Sequence, residues 1–152
     1  MKTWLITDCS SGLGRGIAEA ALKHGENVAV TARNVEQIKE LAEQYPVQAQ
    51  ILRLDLNDRE SMKNAVDSAI KAFGGIDVLA DRYRKENLVN NRDQLGDPMK
   101  GGEVIVDTIL SGKMLSRLLL GSDAVQAAQN VLKDRLQETE NWMDVSRRPD
   151  YR

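Results

Sequence analysis

A single cysteine in 152 residues leaves no internal disulfide to staple the chain. A single histidine goes with it, so no pair of His or Cys residues has metal-ligand spacing. Charge of either sign is also in short supply as a block. The formal net charge is −2, with acidic and basic residues mixed along the chain. That leaves no basic stripe for nucleic acid and no acidic tail that would stay disordered. No apolar run approaches the ~20 residues of a membrane span. The opening residues, MKTWLITD, become polar too soon for a signal peptide. These absences point to a cytoplasmic protein with neither nucleic acid nor membrane as a partner. What remains is 41% hydrophobic, enough for the core of one domain of ordinary size.

Periodicity divides the chain into alternating elements. Residues 3–7, 27–33 and 49–56 read as buried strands, and IDVLA at 76–80 as a fourth. Between them, helical spacing marks about 14–24, 34–44 and the stretch NDRESMKNAVDSAIKAFGG. Asn57 and Glu60 have capping-box spacing, and Met62, Val66, Ala69 and Phe73 make a core-facing stripe. Residues 81–97 form a polar loop without sustained period. Asp97 and Pro98 then start a helix to about 110, in which Gly101 and Gly102 each cost roughly 1 kcal/mol relative to Ala. RLLLG at 117–121 reads as a fifth strand, and Ser122 caps a final helix over about 123–144.

This alternation predicts an α/β fold: a Rossmann-like three-layer αβα arrangement around a parallel sheet of about five strands, in the order 3-2-1-4-5. The expected organisation is one domain over 1–152: a nucleotide half at 1–80, the polar loop, and a C-terminal helix-strand-helix at 98–152.

Residues 6–18, ITDCSSGLGRGIA, carry the chemistry. Small residues in a first βα turn let the backbone approach a pyrophosphate, and the helix that follows aims free N–H groups at the anion. Gly12 and Gly14 supply the approach, and Ser10 and Ser11 add hydroxyls. A glycine pattern alone is weak, but this one follows a strand and opens a helix, the context the motif requires. The alternative is a tight turn with no ligand. Cys9 reads as a small buried filler, and His24 as a solvated residue at a helix end.

TDCSSGLG resembles the T-G-x-x-x-G-x-G turn of the short-chain dehydrogenases/reductases. VAVTARN, LDLND and FGGIDVL at the next three strands agree, and GDPMK, LLLGSDA and ENWMDVSRRPDY resemble the C-terminal end of some members. The resemblance implies a nucleotide site built from Thr7, Ser10, Ser11, Gly12, Leu13, Gly14, Arg33, Asp55 and Leu56. Thr7 ends the first strand, and residues 10–14 hold phosphate. Asp55 accepts from the adenine amino group, with Leu56 beside the ring. An acid commonly holds the ribose hydroxyls where Ala32 stands. Ala32-Arg33 instead suits the 2′-phosphate of NADP, with NAD the weaker candidate. Read as residues alone, Arg33 is equally a surface charge and Asp55 a turn cap.

Two departures matter. Asp8 stands where the family has its first glycine, which sets a carboxylate beside the pyrophosphate and a Cβ in the turn. The family's catalytic Tyr-x-x-x-Lys pair is missing too: Tyr45, Tyr83 and Tyr151 all lack a lysine four residues on. No catalytic residue is therefore assigned, and the chain resembles a family member without its middle. Three functions stay open: an NADP(H)-binding protein lacking its own dehydrogenase activity, an active NADP-dependent oxidoreductase on an alcohol or ketone, and a non-catalytic oligomerising or regulatory fragment. A homo-oligomer would form through an exposed sheet edge or the C-terminal helix.

Overall fold

The computed structural model describes residues 1–81, 96–113 and 115–148. Most of the polar loop, with Tyr83 and the 88–92 stretch, lies outside them, as does Tyr151.

Thr3–Ile6 is β1, Asn27–Ala32 is β2, Ala49–Arg53 is β3 and Val78–Ala80 is β4. All pair in parallel in the order β3-β2-β1-β4. The register sets Trp4 beside Val28 and Val78, so side chains alternate consistently between the two faces. One face carries Trp4, Ile6, Val28, Val30 and Ala49, the other Leu5 and Ala29.

Helices cover both faces. α1 (Gly12–Lys23) buries Ile17, Ala18, Ala21 and Leu22 on the Trp4 face. Beside it lie a 3-10 turn (Val35–Ile38), which the Asn34 carboxamide caps by accepting the Glu36 N–H, and α2 (Lys39–Gln44). α4 (Pro98–Leu110) packs on the same side through Val106, Ile105 and Ile109. α3 (Arg59–Phe73) covers the Leu5 face with Ala69 and Val66. This is the expected three-layer arrangement. α3 is capped one residue later than predicted. The Asp58 carboxylate, not Asn57, accepts the Glu60 N–H at 2.9 Å. α4 starts as expected, with Asp97 accepting the Met99 N–H at 2.8 Å.

α1 and α4 cross at their glycines. A Cβ on Gly16 would run into the Pro98 carbonyl oxygen, and one on Gly102 into the Gly16 backbone. Gly102 therefore serves the crossing as well as weakening its own helix. His24 stays exposed at the end of α1, as expected, and its Nε2 lies 3.1 Å from the Asp107 carboxylate of α4.

The sheet has four strands among the described residues, not five. Residues 117–121 join no ladder, and Leu118 and Leu119 stay exposed. A strand exists only by pairing, and this short apolar run has no partner strand among the described residues. Gly121, at φ 98, then turns the backbone into the left-handed region. Among the described residues no strand pairs with the outer edge of β4, and Leu79 there is 64% exposed.

The chain divides into two compact units, Met1–Leu115 and Ser116–Arg152. The first holds the sheet. The second is built from α5 (Ser122–Asn141) and α6 (Met143–Ser146), and neither helix has a buried residue.

Candidate nucleotide site

Because the strands are parallel, all four C-terminal ends lie on one edge of the sheet. The chain leaves β1 toward β2 and β3 on one side and returns to β4 on the other. Ligands of open α/β sheets settle in the crevice at such a reversal.

Thr7 sits there, buried. Its N–H donates to the Ala80 carbonyl at 3.0 Å, and its hydroxyl donates to the Asp81 carboxylate at 2.6 Å. Cys9 anchors the turn from below. Its N–H donates to the Thr31 carbonyl at 2.9 Å and its thiol to the Ile6 carbonyl at 3.2 Å, while the Thr31 hydroxyl donates to the same Ile6 oxygen at 2.8 Å. Burial pushes the Cys9 thiol up to about 12, so it is packing rather than a nucleophile. The sequence marked neither Thr31 nor Asp81. The signal available was their position, inside the second strand and just after the fourth.

Asp8 is the one non-glycine residue with positive φ among the described residues, at 54°. The turn therefore demands the conformation that favours glycine at the position where the motif expects glycine. The Ser10 hydroxyl lies 3.4 Å from the Asp8 carboxylate, a long contact, and its side chain is turned toward that acid. Gly12 takes φ 64. Gly14 sits so low on the turn that a Cβ would stand 2.5 Å from the Asp8 carbonyl oxygen and 2.7 Å from that of Thr7.

Ser11 is the N-cap of α1, extended at φ −163, and makes no side-chain cap bond. No acid occupies the first turn. The Ser11 side chain therefore gives the first N–H groups of α1 no cap, at the positive end of the helix dipole where a phosphate would sit. Leu13 and Leu56 leave apolar side chains open on the same edge.

Arg33 is exposed just beyond β2, with no hydrogen bond or ion pair to another described residue. Arg15 is committed elsewhere: its Nε meets Glu19 at 2.6 Å and its Nη1 meets Glu40 at 2.8 Å. Partial burial opposes the Arg15 charge, but the two carboxylates outweigh it and raise its pKa above the ordinary value. Asp55 is drawn into a turn: its N–H donates to the Ser61 hydroxyl, and one carboxylate oxygen accepts the Asn57 N–H, both at 3.0 Å. The turn-capping alternative is thus realised, and no described residue engages the second oxygen. Among the described residues, no group of His, Cys, Asp and Glu could hold a metal, and no helix is long and apolar enough to cross a membrane.

Residues 2–91 match the family model described as short chain dehydrogenase. Oxidoreductase BOA17 of Botryotinia fuckeliana (strain B05.10) is 42% identical over 93 residues, which span 60% of this chain and 34% of that protein. Hydroxysteroid dehydrogenase-like protein 2 of Danio rerio is 30% identical over 127 residues, 77% of this chain and 30% of the relative. The chain therefore spans about a third of the length of these curated relatives. A solved short-chain dehydrogenase from Streptomyces avermitilis shares the fold, with a TM-score of 0.79 over 98% of both chains at 21% identity. On the matched family model, which takes in the phosphate turn and all four strands, this chain belongs to the short chain dehydrogenase family.

Proposed function

We propose that this chain is an NADP(H)-binding protein of the cytoplasm that does not itself run the alcohol–ketone chemistry of its family. The observation that carries the reading is the uncapped start of α1, seated through Gly14 on the carbonyls of Thr7 and Asp8. In this reading the first α1 amides receive the pyrophosphate, and Arg33 takes the 2′-phosphate through charge-assisted bonds. The second Asp55 oxygen accepts the adenine amino group, with Leu56 beside the ring. Bound nicotinamide would supply hydride, and the remaining need is a proton donor for the carbonyl oxygen. Tyr45 is no candidate. It ends α2, and its carbonyl accepts the Ala49 N–H where β3 begins, at the opposite edge of the sheet from the phosphate turn.

Titration of NADPH fluorescence tests binding, and a stopped-flow panel of ketones and aldehydes tests catalysis. Saturable binding without turnover is the expected pair of results. Absence of binding would leave a non-catalytic fragment. Turnover above buffer would establish an active oxidoreductase, its donor Tyr83 if Tyr83→Phe abolishes the rate and another group if the rate survives.

A further inference from the structure

We infer that the ion pair between Arg15 and Glu40 is a positioning brace, which sets the span between the phosphate turn at the start of α1 and Arg33 at the end of β2. The inference rests on the nucleotide reading above and names the residues that hold its two subsites apart. Arg15 stands near the start of α1, and Glu40 in the first turn of α2. The Arg15 Nη1 meets the Glu40 carboxylate at 2.8 Å, joining residues 25 apart in the chain. The Arg15 Nε also meets Glu19 at 2.6 Å, but Glu19 belongs to α1, so that bond links nothing across. The Arg15 guanidinium holds the Glu40 carboxyl below its usual range.

Three observations make this pair a link. The Arg15 side chain is only 19% exposed, so salt and solvent screen it less than an open surface pair. The backbones of α1 and α2 hardly approach each other. Among the described residues, no other hydrogen bond or ion pair joins α1 to the segment 35–44. Ile38 and Leu41 hold that segment to the core by apolar contact, which has no direction, whereas the ion pair has one. Arg33 and Asn34 connect β2 to the same segment, and Asn34 caps it by accepting the Glu36 N–H. A shift of α2 therefore reaches Arg33 through a single 3-10 turn. NADPH carries its pyrophosphate and its 2′-phosphate on one adenosine ribose. It gains from both subsites only when their separation matches, whereas NADH uses one of them.

Fluorescence titration of NADPH and NADH into the Glu40→Ala chain tests this by sign. Charge alone predicts tighter binding, most of all for NADPH, because an acid is removed near an anionic ligand and Arg15 is freed. A brace predicts the reverse. NADPH should weaken about fivefold, the scale of one partly exposed ion pair, and NADH by less than about twofold. Glu40 is itself half exposed, so the circular dichroism of the variant should not change. Glu19→Ala removes an equal charge and leaves the brace, so it should not weaken NADPH. Glu40→Gln keeps an acceptor for the Arg15 N–H and should recover part of the loss. Tighter NADPH in Glu40→Ala overturns the inference. So does an equal loss for both cofactors, or the same loss in Glu19→Ala. If the unaltered chain binds neither cofactor, the nucleotide reading falls first and takes the brace with it.

Discussion

The Thr7 hydroxyl donates to the Asp81 carboxylate at 2.6 Å, tying the end of β1 to the end of β4 across the crevice where the phosphate turn begins. Thr7→Val keeps the shape and removes this donor. Solvent around Asp81 screens the bond, so the cost should be about 1 kcal/mol, the ordinary net worth of one hydrogen bond. Urea denaturation of both forms measures it, and an unchanged midpoint would show the pair to be idle.

Asp8→Gly should tighten NADPH. Removing one charge about 4 Å from a phosphate relieves on the order of 1 kcal/mol even in water, or roughly fivefold in affinity. Stability should change by less than about 1 kcal/mol, because relief of the left-handed backbone is offset by the unfolded-state entropy of glycine. Isothermal titration decides, and weaker binding in the glycine form would mean that Asp8 holds the turn for its ligand.

Arg33→Ala should weaken NADPH by about 1–3 kcal/mol, the worth of a charged hydrogen-bond partner, while leaving NADH nearly unchanged. Equal losses for the two cofactors would remove Arg33 from the 2′-phosphate.

Gly102→Ala sets two effects against each other. Alanine gains about 1 kcal/mol of helix propensity over glycine. Its Cβ, however, would occupy the Gly16 backbone, a neighbour that cannot rotate away. Overpacking of this kind typically costs about 1–3 kcal/mol, so the clash should win and the melting temperature should fall. A rise would show that α4 can slide.

The buried Cys9 thiol should make stability depend on alkaline pH. Its ordinary value is 9.0 and its folded value about 12. Above pH 9 the unfolded chain gives up a proton that the folded chain keeps. The full contribution is therefore present below about pH 9 and is lost as pH rises toward 12, at up to ~1.4 kcal/mol per pH unit. Cys9→Ala should flatten that slope, and native Cys9 should react with a thiol reagent only on the timescale of unfolding.

The turn, the four paired strands and the helices on both faces were legible in the sequence because each depends on residues near one another. Thr7, Gly12, Gly14 and the Asp97-Pro98 start needed only local spacing. Other features depended on distant partners. Gly102 read as a weak helix position because its reason, Gly16, is adjacent in the fold but far away along the chain. Leu118 and Leu119 suggested a strand because apolar runs do, but a ladder needs a second edge. Asn57 and Asp58 both offer a capping oxygen, and only the backbone decides between them. In the site, Asp8 could be flagged as out of place, but its left-handed backbone is a fact of three dimensions. So is the commitment of Arg15 to Glu19 and Glu40.

The pairing of β1 with β4 also bears on how the chain is made. Thr7 and Asp81 are 74 residues apart, whereas β1 meets β2 as soon as Ala32 is available. On a ribosome adding roughly 5–20 residues per second, β1, β2 and β3 can assemble while the far flank of β1 waits several seconds for β4. The Thr7 amide finds the Ala80 carbonyl only then. A nascent chain stalled before Ile76 would carry the whole glycine turn and still present one side of β1 to chaperones.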